Sequence, residues 1–284
     1  CADHGVYRQK VSAYPQSTTV GMVKSYVDVK GASANALAHY CGAHMVVVDM
    51  GINADMSDVP GLLHRKIAFG TKDITEGAAM SRAEAIHAIE AGIEIAENKI
   101  KEGYRVFTVG EMGIANTTAS ACILGAFNRW NAVEVTGRGT NISDARLLHK
   151  IEMVQKALDV NQPDPADGLD VLSKVGGFEF GCMTGVMLGA AANHCLTIID
   201  GFNSTASAFI AKALSEESVQ YLMASHLSLE QAHRKSLKAI GLTEYIDLDI
   251  RLGEAVGASI QKKILDMAIA VYKDGADKRT GVAE

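Results

Sequence analysis

The residues best suited to chemistry lie between 104 and 118, where a β-type hexamer, Tyr104 to Val109, runs into Gly110-Glu111-Met112-Gly113 and an Asn-Thr-Thr cluster. This order predicts a strand, a glycine-containing loop and a helix start. Glycines let the backbone approach a ligand closely, and the free amides of a helix N-terminus favour phosphate or carboxylate. The loop has neither the Gly-x-Gly-x-x-Gly spacing nor the Gly-Lys-Ser/Thr end of a P-loop, so a dinucleotide or ATP site is not supported.

Two charged residues have two interpretations each. Glu111 is either a solvated loop carboxylate or an acceptor for a sugar hydroxyl beside the predicted anion site. Lys150 lies on a predicted helix from about 143 to 158 and is either ordinary surface charge or a cation that meets an anionic ligand. The pair Asp3-His4 is of a kind that is more often structural than catalytic.

Other classes of site have little support in the sequence. The nine histidines show no His-Glu-x-x-His spacing and no His/Cys cluster, so we expect no metal site. No Gly-x-Ser-x-Gly elbow indicates a hydrolase. A net charge of -6, without a block of Lys or Arg, argues against nucleic acid as the main partner.

Composition also bears on where the protein works. The five cysteines form no Cys-x-x-Cys pair and are odd in number, which favours reduced thiols in a cytoplasm. No apolar run reaches the roughly 18 residues that a membrane helix needs, so no membrane partner is expected. Cys1 to Val6 look like the end of a strand and its loop, so we expect a natural N-terminal segment before Cys1.

The elements that must position these residues alternate between strands and helices. A short helix is predicted from Thr18 or Thr19 to Val27, an Ala-rich helix between Gly31 and Gly42, and a buried strand from His44 to Asp49. Residues 51–80 are interpreted as irregular. Ser81-x-x-Glu84 is a capping-box pattern before a helix that ends at Gly103. Residues 178–192 indicate tightly packed helices rather than a site, and Cys195 to Phe202 repeats a strand followed by an acidic turn.

This alternation predicts a mostly parallel α/β sheet flanked by helices, with ligands beyond the carboxyl ends of the strands. Several polar, glycine-containing loops lie at that position: 110–118, 137–141, 200–202 and 251–258. Glycine beside Glu, Arg or Asp in these loops suggests a site for an anionic sugar ligand.

Seven ordered motifs give the chain a specific resemblance. They are Ala-Asp-His-Gly-Val (2–6), Val-Ser-Ala-Tyr-Pro-Gln (11–16), Gly-Glu-Met-Gly-Ile-x-Asn-Thr-Thr (110–118), Gly-Arg-Gly-Thr (137–140), Asp-Gly-Phe (200–202), Ala-Ser-His-x-Ser (224–228) and Arg-Leu-Gly-Glu (251–254). Together they resemble the nicotinate-nucleotide:dimethylbenzimidazole phosphoribosyltransferase family over essentially the whole chain.

The resemblance implies a Rossmann-like sheet with a smaller helical domain, in a cytoplasmic dimer that needs no cofactor. Residues 1–30 would belong to the small, base-binding region, 31–250 to the nucleotide-binding domain, and 251–284 to a C-terminal helix carrying the catalytic carboxylate. Members transfer phosphoribose from nicotinate mononucleotide to a lower-ligand base of a cobamide, releasing nicotinate.

The resemblance also implies residue roles. Glu254 would be the catalytic base that accepts the proton of the incoming base. The nucleotide side would hold the substrate-binding residues Glu111, Gly113, Lys150, Asp200, Ser228 and Leu252, with Lys150 near the phosphate. Ser12 and Gly21 would face the base.

Three positions depart from the family pattern. Gly21 stands where members that use dimethylbenzimidazole usually carry Gln, which removes a hydrogen-bonding wall and suggests another acceptor, such as a phenol or a purine. Ala115 and Asn141 each replace a usual glycine.

Retention of Glu254, Glu111 and Lys150 favours an active enzyme. The alternative is a weakly active or inactive paralogue that serves as one subunit of a heterodimer.

Overall fold

The computed structural model describes residues 1–278, and in that range it contains seven short strands. Every strand pairing is parallel, which confirms the predicted fold class. The strands are Val47–Asp49 (β1), Leu62–His64 (β2), Val106–Val109 (β3), Leu196–Ile199 (β4), Leu222–Ala224 (β5), His226–Ser228 (β6) and Ile246–Ile250 (β7).

Eleven α-helices flank these strands in the described part of the chain. They are Ser17–Lys24 (α1), Ser33–Cys41 (α2), Arg82–Lys101 (α3), Asn116–Asn128 (α4), Ala132–Val135 (α5), Asp144–Asn161 (α6), Gly168–Val175 (α7), Phe178–Ala192 (α8), Phe202–Leu214 (α9), His233–Ile240 (α10) and Val256–Lys278 (α11). A π-helical turn, Ser25–Val29, continues α1. None of the helices in residues 1–278 combines the length and the apolar character needed to cross a bilayer.

The strands form three sheets with the orders β1-β2, β3-β4-β5 and β6-β7. In the central sheet Val109 lies opposite Ile199, and Ile199 lies opposite Ala224. The three strands therefore end at the same level. Their following loops are brought to one edge, as expected for ligand-binding loops in parallel sheets.

The strand β2 corrects the interpretation of residues 51–80 as wholly irregular. Its three residues, Leu62-Leu63-His64, are too few to produce a recognisable alternation. Pairing with the buried strand β1, with Val47 opposite Leu62, determines their conformation.

The long helices pack closely through small residues. A Cβ added to Gly92 on α3 would lie 2.0 Å from the Cys182 carbonyl oxygen on α8, and one added to Gly185 on α8 would lie 2.0 Å from the Ile89 carbonyl oxygen. The capping box predicted at Ser81 and Glu84 is present at the start of α3. The glycine-rich segment 178–192 is a single helix, and its packing is as tight as predicted.

The buried apolar residues form two clusters. The larger one lies between the central sheet and helices α3, α4, α8 and α9. The smaller one joins Val23 and Tyr26 to Ile52, Met56 and Leu62, so it ties the N-terminal elements to the β1-β2 sheet. The division at residues 30 and 250 stays a prediction, and residues 279–284 of its last segment lie outside the described residues.

Candidate active site

Glu111 follows β3 and is held by two asparagine side chains. Asn203 Nδ2 donates to Oε1 at 2.9 Å, and Asn116 Nδ2 donates to Oε2. The hydroxyl of Ser120 donates to Asn203 Oδ1 at 2.6 Å, which turns the Asn203 amide toward Glu111. Glu111 is half-buried and lines a cavity. These contacts argue against the alternative of a solvated surface carboxylate.

The environment of Glu111 favours a partly protonated carboxyl at neutral pH. Burial raises its pKa to about 7, and the hydrogen bond from Asn203 opposes part of that rise. The charges of Glu179 and Glu254 add to the increase. Two neighbouring carboxyl groups thus add to the effect of burial on Glu111.

Glu254 lies in the turn directly before α11 rather than on the helix itself. Its φ is 62°, and the φ of the following Ala255 is 59°, so two successive non-glycine residues are left-handed. Such residues cost roughly 1–2 kcal/mol each and persist where the surrounding structure enforces them, often at functional sites. A Cβ on Gly110 would lie 2.1 Å from the Ala255 amide nitrogen, so the loop after β3 packs directly on this turn.

The carboxyl group of Glu254 suits a proton acceptor. Burial raises its pKa, and the nearby phenol of Tyr26 offsets part of the rise. The Tyr26 hydroxyl has no well-formed hydrogen bond within the described part of the chain. A carboxylate whose pKa moves toward neutrality is a better general base at physiological pH than an ordinary one.

Glu111 and Glu254 line one cavity of about 510 Å³. Tyr26 and Glu179 also line it, and it extends between β1 and β3. Its volume is in the range of small-molecule sites. A shallower depression of about 930 Å³ lies between α5 and α6, but none of the predicted site residues lines it.

Lys150 is 1% exposed, so its interpretation as surface charge is wrong. Its Nζ donates to Thr117 Oγ1 at 2.9 Å and to the Gly137 carbonyl oxygen at 3.2 Å. Within residues 1–278 it forms no ion pair shorter than 4 Å. Burial lowers its pKa, while the charge of Glu230 acts in the opposite direction. A buried cation with only neutral ligands is expected to attract an anion.

Adjacent residues at the start of α4 connect this cation to the carboxylates. Asn116 donates to Glu111, and Thr117 accepts from Lys150. Successive Cα atoms are about 3.8 Å apart. Glu111 and Lys150 are therefore attached to neighbouring residues of α4.

The glycine-rich loop 137–140 covers Lys150. Gly139 has a φ of 50°, and a Cβ there would lie 2.7 Å from Thr117 Oγ1. Its amide donates to Glu230 Oε1 at 2.7 Å. Glu230 also leaves no room for a side chain at Gly137, whose added Cβ would lie 1.9 Å from Oε2.

Ser228, at the end of β6, is fixed by a histidine. Its amide donates to His233 Nδ1 at 2.8 Å, so Nδ1 must be the unprotonated nitrogen, and Nε2 lies 3.0 Å from Thr205 Oγ1. Burial lowers the pKa of His233 to about 3, which is consistent with a neutral ring. The Glu230 amide donates to Ser228 Oγ at 3.4 Å, linking Ser228 to the covering loop.

The other predicted site residues are dispersed. Gly113 packs against the N-terminal segment, since an added Cβ would lie 1.9 Å from the Ala2 carbonyl oxygen. Leu252 is 50% exposed. Ser12 lies beside the covering loop, with Oγ 3.4 Å from Thr140 Oγ1. Gly21 is on an exposed part of α1 and does not line the 510 Å³ cavity. The roles of all four remain predictions.

The two mild departures from the family pattern have a conformational explanation. Ala115 has a φ of 77° and Asn141 a φ of 61°. Glycine adopts these left-handed values without a Cβ penalty, and Asn tolerates them better than most residues. Ala115 directly precedes α4 and provides no side-chain cap. Ala115 and Asn141 therefore hold a left-handed backbone at a conformational cost that glycine would not incur.

Two residues that sequence reasoning did not place in the site belong near it. His4 Nε2 and Glu179 Oε1 are 2.5 Å apart, and both side chains are buried. Burial lowers the pKa of His4, but the charge and hydrogen bond of Glu179 outweigh this effect and raise it. The available signal was an isolated carboxylate in an apolar helix, Phe178-Glu179-Phe180. Asp3 is structural, as expected, because it accepts from the Thr19 hydroxyl at 2.6 Å and the Asn53 amide at 2.9 Å.

The described residues contain no group of three or more His, Cys, Asp or Glu that could hold a metal ion.

Comparisons with known proteins agree with the motifs. A family model described as phosphoribosyltransferase matches residues 1–282. A nicotinate-nucleotide–dimethylbenzimidazole phosphoribosyltransferase of Geobacter metallireducens is 45% identical over 275 residues, covering 97% of this chain and 78% of the relative. Its counterpart in Chloroflexus aggregans is 45% identical over 284 residues, covering 100% of this chain and 80% of the relative.

A solved structure gives the same result. The crystal structure of CobT from Thermus thermophilus superposes with a TM-score of 0.90 at 38% identity, covering 94% of this chain and 80% of that one. Identity and coverage of this extent cannot arise from a shared fold alone. The chain therefore belongs to the nicotinate-nucleotide–dimethylbenzimidazole phosphoribosyltransferase family.

Proposed function

We propose that this chain transfers the phosphoribosyl group of nicotinate mononucleotide to a lower-ligand base of a cobamide, giving an α-riboside phosphate and nicotinate. The observation that carries the proposal is the cavity lined by Glu111 and Glu254. The buried cation Lys150 on α6 donates to Thr117, the residue that follows Asn116, which donates to Glu111. The names of the relatives support the substrates, nicotinate mononucleotide and dimethylbenzimidazole.

In this proposal the base nitrogen attacks C1′ from the face opposite nicotinate, so the anomeric configuration changes from β to α. The bond from C1′ to the nicotinate nitrogen breaks, and its electron pair returns to the pyridine ring. Glu254 accepts the proton that the attacking nitrogen loses. The leaving nitrogen is positively charged before the reaction, so departure requires little acid assistance.

The remaining residues bind and orient the nucleotide. Glu111 accepts hydrogen bonds from ribose hydroxyls through lone pairs that its two asparagine partners leave free. Lys150 and the Thr117 hydroxyl supply donors for the phosphate. Because Lys150 is fully covered, the loop 137–140 must shift when the phosphate binds.

An assay with nicotinate mononucleotide and a panel of acceptors tests the proposal. We expect nicotinate release that depends on the acceptor, together with a product whose mass equals acceptor plus ribose phosphate minus one water. No product with any acceptor, from a folded protein that binds the nucleotide, would instead indicate an inactive subunit. That alternative is not favoured, since Glu111 and Glu254 line one cavity and Lys150 is also retained.

We further propose that Gly21 affects the choice of acceptor. A glycine there offers no side-chain donor, so dimethylbenzimidazole is held loosely, whereas a phenol that attacks through oxygen loses nothing. Gly21→Gln is expected to raise kcat/KM for dimethylbenzimidazole relative to a phenol by about tenfold. This is the effect expected from one modest hydrogen bond together with better positioning of the base. Both acceptors are measured with wild type and variant.

The structure offers a matched control for this substitution. A Cβ at Gly21 meets nothing within 4 Å, so both Gln and Ala are accommodated. Either one raises helix stability by roughly 0.5–1 kcal/mol relative to Gly. Gly21→Ala therefore reproduces the effect on α1 without the amide. The ratio of kcat/KM for dimethylbenzimidazole to kcat/KM for the phenol decides the question. If that ratio is unchanged in the Gln variant, or changes equally in both variants, Gly21 does not determine the choice of acceptor.

We also propose that the chain works as a homodimer. The final helix α11 exposes Ile264, Met267 and Val271 at helical spacing, an apolar stripe that another subunit can cover. Light scattering at micromolar concentration is expected to give twice the mass of the chain. A mass equal to one chain would contradict the homodimer. The chain would then be either a monomer or a subunit that requires a paralogous partner.

A further inference from the structure

Asp200 follows β4 and is attached to the start of α11. Its side chain is 2% exposed, and Oδ1 accepts from the Ala258 amide at 2.9 Å. The amides of Ala255 and Gly257 lie close enough to oppose the rise in the pKa of Asp200 that burial causes, although Oδ2 has no hydrogen-bond partner within residues 1–278. Asp200 therefore satisfies one of the first amides of the helix that begins two residues after Glu254.

The surroundings of Asp200 leave it little access to a ligand. It does not line the 510 Å³ cavity, whereas Glu254 and Ala255 do. On another side His226 Nδ1 lies 3.8 Å from Oδ1, and burial lowers the pKa of that histidine to about 4. A Cβ on Gly257 would lie 1.9 Å from the same ring nitrogen, so the turn is enclosed there as well.

The turn needs such an anchor. Glu254 and Ala255 are both left-handed, and this conformation is maintained only while contacts from neighbouring elements hold it. Gly110 packs on Ala255 from the end of β3, and Asp200, after β4, accepts from the Ala258 amide. Without the Asp200 acceptor the turn can relax to ordinary backbone angles and carry the Glu254 carboxylate away from the cavity.

We infer that Asp200 is a positioning residue that fixes Glu254 through the helix-start turn, and that it does not contact the nucleotide. The inference rests on the proposed role of Glu254. It replaces the interpretation of Asp200 as a substrate ligand that the family resemblance suggests.

Kinetics of two Asp200 variants test the inference. Asp200→Ala is expected to lower kcat by about 10- to 100-fold, the loss that a displacement on the order of 1 Å produces. The dissociation constant for nicotinate mononucleotide should stay within about threefold of the wild-type value. Asp200→Asn retains an oxygen acceptor for the amides and should recover most of the lost kcat. A tenfold weaker nucleotide affinity in either variant would make Asp200 a ligand and overturn the inference.

A double-mutant cycle separates positioning from general damage. If Asp200 acts only through Glu254, Asp200→Ala should lower the residual activity of Glu254→Gln by less than about twofold. If Asp200→Ala lowers activity by the same factor in the Glu254→Gln background as in wild type, the inference is contradicted. Asp49→Ala is the matched control, because Asp49 ends β1, is buried and accepts from the Ile52 amide at 2.9 Å. It carries no proposed catalytic group, so its kcat should change less than that of Asp200→Ala.

Hydrogen exchange gives a readout that does not depend on activity. The amides of residues 255–258 should exchange faster in Asp200→Ala than in wild type or Asp200→Asn, while β3 and β4 keep their protection. Unchanged exchange at 255–258 overturns the inference even if the wild-type protein has the proposed activity. Faster exchange in a protein that shows no transferase activity supports the anchor and rejects the proposed function. If the Ala variant does not fold, nucleotide affinity of the Asn variant still decides whether Asp200 is a ligand.

Discussion

Glu254→Gln is expected to lower turnover by roughly 10²-fold or more without loss of folding, because a positioned general base contributes about 10²- to 10⁴-fold. Gln has nearly the same shape as Glu but cannot accept a proton. The left-handed turn and the contact between Gly110 and Ala255 involve the backbone, so the substitution leaves them in place. Burial raises the pKa of Glu254, so the neutral side chain also removes the cost of burying a charge.

Steady-state kinetics with saturating base and nucleotide measure this effect. Nucleotide affinity should change by less than about threefold, which separates loss of the chemical step from loss of binding. Glu97→Gln, on the exposed side of α3, is a suitable control for removal of a carboxylate. Near-normal turnover of Glu254→Gln would exclude Glu254 as the base.

The same carboxylate determines the pH dependence. A base must be ionised to act, so kcat should fall as the pH drops through the pKa of Glu254. Since burial raises that pKa, the fall should begin at a higher pH than for an ordinary Glu with a pKa of 4.5. Glu111, with a pKa of about 7, titrates in the same region. The acidic side of the kcat–pH profile therefore reports Glu111 and Glu254 together rather than either one alone. In Glu254→Gln, the part of the fall in kcat at low pH that is due to Glu254 should be absent.

Short motifs located the two carboxylates proposed for the site but not their surroundings. Arg-Leu-Gly-Glu located Glu254, and Gly-Glu-Met-Gly located Glu111 beyond a strand. The pattern did not indicate that Glu254 precedes the helix in a left-handed turn. The turn and the first residues of the helix contact Gly110 and Asp200, which are more than 50 positions away in the sequence. Helix-start patterns locate such boundaries only to within a few residues.

The sequence also did not indicate which polar residues are buried. A lone Lys in an acidic protein is usually exposed, and Lys150 has no carboxylate at helical spacing that would suggest otherwise. Its ligands come from Thr117 and Gly137, on separate segments. Glu179 was hidden for a related reason, because an apolar, glycine-rich helix normally indicates packing and its partner His4 is 175 positions away.

Lys150→Met is expected to weaken the binding of nicotinate mononucleotide by about 1.5 to 3 kcal/mol, the range for hydrogen bonds that involve charged groups. The loss corresponds to roughly 10- to 150-fold in the dissociation constant. Met fills most of the space of the buried Lys side chain, so the change removes the charge and its hydrogen bonds with little cavity formation. Lys150→Ala should weaken binding by a similar amount, but it also leaves a cavity.

The two variants therefore separate binding from stability. Lys150 is buried with only neutral hydrogen-bond partners, and burial lowers its pKa, so the charged form costs the free protein folding free energy. Lys150→Met should unfold at the same or a higher denaturant concentration than wild type, whereas Lys150→Ala should unfold at a lower one. Calorimetry with nicotinate mononucleotide and with free nicotinate completes the test, because only the first carries a phosphate. If both proteins bind the nucleotide as tightly as wild type, the ammonium of Lys150 does not contact the phosphate, and its burial serves only to tie α6 to the start of α4.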